Sequence, residues 1–509
     1  MSTDRSLSPP AWTVIHGGRL VEPRQPKPRA ADILIQGDTI HEIGAPGMAV
    51  PEGTQRIDAT GMLLHPGLIN AHTHGHGNLA RGMGDRWTLE LLLTAGPWIS
   101  GNRSAEDKRL TTLIGASEML LKGCTACYDL TFEFPSPSVE GLQAAASAYE
   151  QVGMRAVLAP MVANLSFFEA IPGLMEALPP RLRKEVERLR MAPTDSILKA
   201  MSDTVKGWTA DSDHVRLAIA PTIPHHCTDE FMIGCRNLAH EHGLPMHSHV
   251  SESKVQAIAG LRTYGTTLTR HLDKLGLIGP DFTVAHGVWL DDDDLRLLGD
   301  KGASVAHNPG SNMRLGNGLA RMRKMLECGV NVGIGTDGSS CSDNQNMYES
   351  MRLASMVSKV QGPDWQNWIT TDEVLHAATV GSARALGFGE QLGRIASGYK
   401  ADVVFLDSRH INMIPLNNIT NSLVHAEDGA AVDSVMVGGR MVVRNHKLLN
   451  VDMEKLAHEA ENAVERLDKL NHANHQLYCE LEPLVGSFCP GLAAEPFHVH
   501  RYGGCQHGH

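Results

Sequence analysis

The sequence predicts an α/β protein: a parallel (β/α)8 TIM barrel carrying a small β-sandwich domain built from both chain ends. Three observations predict it. Short apolar, β-type runs alternate with helix-length segments through the middle of the chain. Glycine-punctuated β-rich segments lie far apart, before and after that middle. Histidines and acidic residues collect where the apolar runs stop, and barrel active sites lie at those strand ends.

The elements follow in chain order. WTVIHGGRLVE, ADILIQGDTIHEIG and QRIDATG alternate apolar and polar positions between turns and begin the small β-domain, residues 1–60. The barrel is expected over 61–390, with strands in LLHPGLIN, CTACYDL, RAVLAPMV, VRLAIAPT, PMHSHV, FTVAHGV, ASVAHNP and VNVGIGTD. SAEDKRLTTLIGASEMLLKG, DEFMIGCRNLAHEHG and DDDDLRLLGDKG are helices between them. ADVVFLDS and VDSVMVGGRMVVRNHKLL return the chain to the β-domain over 391–450. The remainder, 451–509, reads as a helix to about 478 followed by a Pro/Gly-rich irregular tail, a flexible or subunit-packing segment dispensable for chemistry. Its His498, His500, Cys505, His507 and His509 fit no defensible zinc spacing.

Composition narrows the function. Hydrophobic residues are 42% and charged residues 20%, as in a folded soluble protein. The formal net charge of -12, with no basic cluster, argues against nucleic acid or an acidic membrane as partner. Nine scattered cysteines, no 18-residue apolar run and no signal pattern at the N-terminus lead to the expectation of a cytoplasmic protein. Cys124 and Cys127 form a lone CxxC in strand context and read as core packing.

The most informative residues are His72 and His74, one residue apart at the end of an apolar strand. In extended chain, positions i and i+2 face the same way, so both imidazoles reach one ion. His249 and Asp337, at two later strand ends, complete a set of nitrogen and oxygen donors that leaves a position for water. His247 competes with His249. Such donors suit one divalent ion per chain, with Zn²⁺ as first choice and Fe²⁺ as alternative. Glu252, three residues beyond His249 at a strand-to-helix turn, is placed to carry a proton from water to a leaving nitrogen, and Asp337 is a second proton acceptor. His286 is the candidate for stabilising charge on the attacked group. His307 shares that role or touches substrate, and His225 and His226, on the loop after the fourth strand, line the pocket mouth.

PGLINAHTH, HSHVSES, TVAHGV, HNPGSNMRLGNG and GTDGSSCSDN, in this order, resemble the amidohydrolase superfamily, in the branch of triazine hydrolases, guanine deaminase and methylthioadenosine/adenosylhomocysteine deaminases. LGRIASGYKADVVFLD is similar to that family's return from barrel to β-domain, so the resemblance covers about residues 12–450. It implies one metal on His72, His74, His249 and Asp337, favouring His249 over His247, with Glu252 as proton shuttle and His286 polarising substrate. The branch lacks the carbamylated lysine of binuclear relatives, and VRLAIAPT offers none.

One departure bears on substrate. Nucleoside-deaminating relatives often carry Trp-Pro-x-Glu, whose Glu binds ribose hydroxyls, whereas this chain reads GPWISGNR. The expected reaction is deamination of a compact, uncharged, amino-substituted nitrogen heterocycle by metal-activated water, in a homo-oligomer. The alternatives are cleavage of an acyclic urea, carbamate or amide C–N bond, or a non-catalytic assembly protein on the same fold. The last has no chemical need for these residues.

Overall fold

The computed structural model describes residues 11–503; Cys505, His507 and His509 lie outside the described residues. Eight parallel strand positions follow one another around a barrel. They are β1 (Leu68–Thr73), β2 (Cys124–Phe132), β3 (Arg155–Val162), β4 in two pieces (Val215–Leu217 and Ala220–Pro221), β5 (Met246–Val250), β6 (Phe282–His286), β7 (Ser304–His307) and β8 (Asn331–Ile334). β1 to β4 pair in order, as do β5 to β8. An Ile219–Met246 bridge joins the halves, and the Asp337 amide donates to the His72 carbonyl at 2.9 Å where β8 runs out beside β1.

These strands are buried on both faces, which is why they read as nearly continuous apolar runs. Ile69, Ala126, Tyr128, Val157, Ala218 and Ala306 belong to one buried cluster that mixes large and small side chains. Helices between strands start and stop where local chemistry dictates. Ser104 and Asp107 form a capping box at the head of Ala105–Leu121, and Gly243 in the left-handed region ends Asp229–His242.

The chain ends meet in two sheets. One orders Thr39–Gly44, Asp32–Gln36, Trp12–His16 and Gln55–Asp58; the other runs from Lys447–Leu448 through Val403–Asp407 and Met62–Pro66 to Arg29–Ala30. Leu64 pairs opposite Phe405, so residues about 340 apart in sequence are direct neighbours, and Ile15, Ile33, Leu64, Val403 and Met436 pack between the sheets. Cys124 and Cys127 are fully buried without a disulfide, in the core. No helix among the described residues is long and apolar enough to cross a membrane.

The C-terminal segment differs from the sequence expectation. After α1 (Leu89–Ser100) beside the barrel mouth and α2 (Met453–Leu470), a third helix, α3, runs from His472 to Ala493, well beyond residue 478. It carries Pro483 and Pro490 in its interior. The prolines and glycines there argue against a helix, each proline removing a backbone hydrogen bond. Burial decides otherwise. Tyr478, Leu481, Val485, Cys489 and Leu492, spaced three and four apart, share one buried cluster with Leu89, Leu91 and Ala95 of α1.

Candidate metal centre and active site

β1 brings His72 to its C-terminal end and His74 just beyond, their rings 4.8 Å apart between centroids. β5 adds His249, 4.9 Å from His72 and 5.3 Å from His74. β6 ends on His286, and Asp337 follows β8. His286 (φ 69°) and Asp337 (φ 63°) both hold left-handed backbone, an unfavourable conformation that concentrates at functional sites. One ligand atom from each of His72, His74 and His249 lies within 4.8 Å of the others, and the same is true of His72, His286 and Asp337.

Hydrogen bonding fits these residues to a cation. His74 Nδ1 donates to the Leu130 carbonyl at 2.6 Å and His249 Nδ1 to the Thr222 carbonyl at 2.7 Å, which leaves each Nε2 as a lone pair facing inward. Those two Nε2 atoms stand 3.3 Å apart, and both nitrogens of buried His72 lack a hydrogen-bond partner. Asp337 Oδ1 lies 3.1 Å from His74 Nε2 and 3.5 Å from His72 Nε2. Burial pushes His72 down to about 3 and His249 well below its ordinary value, so both rings are neutral, as metal donors must be. Burial opposes the Asp337 carboxylate, but the His72, His74 and His286 imidazoles packed against it outweigh that and hold the group well below its usual range.

Glu252 stands on the other side. Its Oε2 is 3.6 Å from His286 Nε2, which lies 3.7 Å from Asp337 Oδ2. Asn317 Nδ2 donates to Glu252 Oε1 at 3.0 Å, and the Gln256 side chain accepts from the Glu252 amide. Burial raises the Glu252 carboxyl well above its ordinary value, and the Asp337 and Glu90 carboxylates raise it further. His286 Nδ1 donates to Asn312 Oδ1 at 2.9 Å, so Nε2 of the neutral ring is an acceptor and donates only when the ring is protonated.

A cavity of about 440 Å³ opens over these residues, with His74, His249, Glu252, His286 and Asp337 in its wall. Most of the remaining wall is apolar, including Leu93, Phe134, Met161, Phe168 and Leu315, and no Lys or Arg among the described residues lines it. The volume is in the range of drug-sized ligand sites, larger than a compact base needs. Of the sequence candidates for substrate contact, His226 lines the cavity, while His225 and His307 are buried and do not. His247 is buried against Tyr128, at 4.5 Å between ring centroids, and belongs to neither donor group.

Sequence reading missed several contributors to this wall. His76, the third histidine in HTHGHG at the same two-residue spacing, lines the cavity, and its Nδ1 is buried without a partner. Leu92 and Leu93 of α1 and Asn474 of α3 supply part of the wall. The spacing offered a signal for His76; none existed for a roof built from helices far apart in sequence.

The fold and these residues have known counterparts. Residues 63–442 match the family model described as the amidohydrolase family. A 5'-deoxyadenosine deaminase of Methanosarcina mazei is 31% identical over 437 residues, 86% of this chain and 93% of the relative. Among solved structures, an adenosine deaminase from Xanthomonas campestris with bound zinc superimposes with a TM-score of 0.79 at 25% identity, covering 90% of this chain and 98% of that one. An atrazine chlorohydrolase from Arthrobacter aurescens complexed with zinc gives a TM-score of 0.79 at 25% identity, covering 89% and 100%. The chain belongs to the amidohydrolase family.

Proposed function

We propose that this protein is a zinc-dependent aminohydrolase that releases ammonia or an amine from an uncharged, amino-substituted nitrogen heterocycle. The observation that carries this reading is the juxtaposition, in one cavity wall, of inward-facing histidine lone pairs and a protonatable Glu252 beside His286. His72, His74, His249 and Asp337 would hold one divalent ion. Bound there, such an ion lowers the pKa of a water toward neutrality.

The chain's own groups handle the protons. Water adds its oxygen to the ring carbon bearing the amino group, and Glu252 takes one water proton. Glu252 then delivers that proton to the departing nitrogen as the C–N bond breaks, leaving a ring carbonyl and free amine. The raised proton affinity of Glu252 suits a group that must first accept and then give up a proton. Asp337 takes the second proton and returns it to a ring nitrogen. His286 Nε2, flanked by Glu252 and Asp337, shares the proton that either carboxylate has taken from water, and while holding it stabilises charge at the attacked carbon's substituents.

The cavity wall supports a heterocycle over an acyclic urea: Phe132, Phe134, Phe167 and Phe168 offer aromatic faces, and the volume exceeds what a small urea fills. A wall without Lys or Arg favours neutral, apolar ring substituents over carboxylated or phosphorylated ones. Zinc in both structural relatives supports Zn²⁺ over Fe²⁺. The nine cysteines, scattered along the chain, favour a reducing, cytoplasmic setting.

The test is ammonia release by the zinc-loaded protein from amino-purines, pterins, pyrimidines, triazines and substituted ureas. One heterocycle class should turn over, with kcat/KM rising about fourfold per added substituent methylene, from ~0.8 kcal/mol per buried CH₂. Turnover of ureas alone would overturn the reading.

A further inference from the structure

The segment after α3 returns to the barrel mouth and seats Arg501, only 7% exposed, between two site loops. Arg501 Nε donates to the Val288 carbonyl at 2.9 Å and Nη2 to the Leu290 carbonyl at 2.5 Å, both just past β6. The Arg501 carbonyl accepts from the Leu319 amide at 2.7 Å, in the loop that carries Asn317. Trp289 fills the space between. Its indole Nε1 donates to the Asn317 carbonyl at 2.7 Å, its amide donates to the Ser251 carbonyl at 2.8 Å, and its ring meets Tyr502 at 5.0 Å. Asn317 in turn donates to Glu252 at 3.0 Å.

We infer that Arg501 is a positioning residue for Glu252, acting through Trp289 and Asn317. The inference rests on the reading of Glu252 as the proton carrier. The loop is anchored locally on one side only: the Gly316 and Asn317 amides bond the Met313 and Asn312 carbonyls at 3.1 and 2.8 Å, whereas the following turn, with Gly318 at φ 117°, is held by Arg501. The loop is also shaped to receive the strap. A Cβ at Gly318 would stand 2.9 Å from the Arg501 carbonyl oxygen, so a side chain there would push the segment off its seat. Without the Arg501 side chain, the Val288 and Leu290 carbonyls lose their donor, and the segment is tethered to this loop only through the backbone carbonyl of residue 501 that accepts from Leu319. The Asn317 side chain then loses part of what holds it against Glu252.

Two measurements on the full-length chain test this. The first is amide hydrogen exchange of Arg501→Ala, which needs no substrate: exchange should rise at 251–256 and 316–319 and stay unchanged in β3. The second is turnover of the heterocycle found in the ammonia-release screen. Arg501→Ala and Asn317→Ala should each lower kcat by about tenfold to a hundredfold, the scale of losing a hydrogen bond to a charged group, with KM and zinc content held. The double variant should be no slower than the slower single one, since both act on one bond. Arg501→Lys should recover part of the loss. Gly318→Ala, which displaces the strap from the other side, should reproduce the exchange pattern and stands in if Arg501→Ala fails to fold. Unchanged exchange at 251–256, or losses that multiply in the double variant, would overturn the inference. Normal turnover in Glu252→Gln would instead overturn the reading of Glu252, while the exchange result would still judge the strap.

Discussion

Gly335→Ala puts one methyl group where β8 closes against β1, and it should cost the protein its metal. A Cβ at this position would lie 2.3 Å from Asn308 Oδ1, 2.8 Å from the His72 carbonyl oxygen and 2.9 Å from His72 Cβ. Ordinary contact begins near 3.4 Å, so about 1 Å of separation must be found between β8 and its neighbours. Neither neighbour yields easily, because Asn308 and His72 are fully buried. The displaced segment carries Asp337, whose amide binds that same His72 carbonyl. Zinc ligand distances tolerate only about 0.2 Å, so a shift of even half of that ~1 Å in the closure degrades the donor set. The expected result is a stability loss of about 1–3 kcal/mol, the range for overpacking, with zinc affinity lowered at least tenfold. Gly491→Ala is the control: it lies in α3 with nothing within 4 Å of its added Cβ, and should be neutral or stabilising by up to ~1 kcal/mol. The assay is zinc retained after dialysis against a graded chelator, beside thermal unfolding. Full zinc retention and wild-type stability in Gly335→Ala would refute the account of how β8 closure sets the ligand geometry.

Three further outcomes are expected. Glu252→Gln should keep its zinc and lose on the order of 10²-fold or more in kcat, checked by metal analysis and steady-state ammonia release. A chain ending after Tyr478 loses buried Leu481, Val485 and Leu492 and uncovers α1; at ~1.5–3 kcal/mol per side chain the cost is roughly 5–9 kcal/mol, and thermal unfolding should show a collapse in stability rather than the dispensability read from composition. His65 is buried and neutral, bonded to Tyr348 at 2.8 Å, and burial lowers its pKa to about 4. The unfolded chain therefore takes up the proton first as pH falls. The stabilisation is complete above about 6.5 and is lost between there and about 4, about 3 kcal/mol in all, so His65→Gln should flatten the denaturation profile in that window.

The barrel was legible because its strands are buried on both faces and stop at polar residues, a pattern that survives without any long-range information. The meeting of the proposed metal donors His72, His74, His249 and Asp337 with His286 was legible for the same reason: each sits at or next to a strand end, and parallel strands bring those ends together. The roof was not. α3 reads as irregular because Pro483 and Pro490 interrupt it, and only its packing on α1 shows that the apolar spacing prevails. His225 and His226 are adjacent in sequence, yet only His226 lines the cavity; a short 3-10 turn at Pro224–His226 separates their directions, which composition does not encode. Asn317 holds Glu252 across 65 residues of sequence, and Arg501 reaches the same loop from the far end of the chain. Such second contacts depend on loop geometry that local sequence leaves open.

The most direct test of the central claim is a zinc titration of chelator-stripped protein, following ammonia release from the heterocycle that the screen identifies. Release should be absent in the stripped protein and rise with added zinc to a plateau at about one ion per chain, the expectation for a single four-ligand site. His72→Ala and Asp337→Ala should fail to reach that plateau. Turnover by stripped protein, or wild-type zinc binding in both variants, would contradict the account.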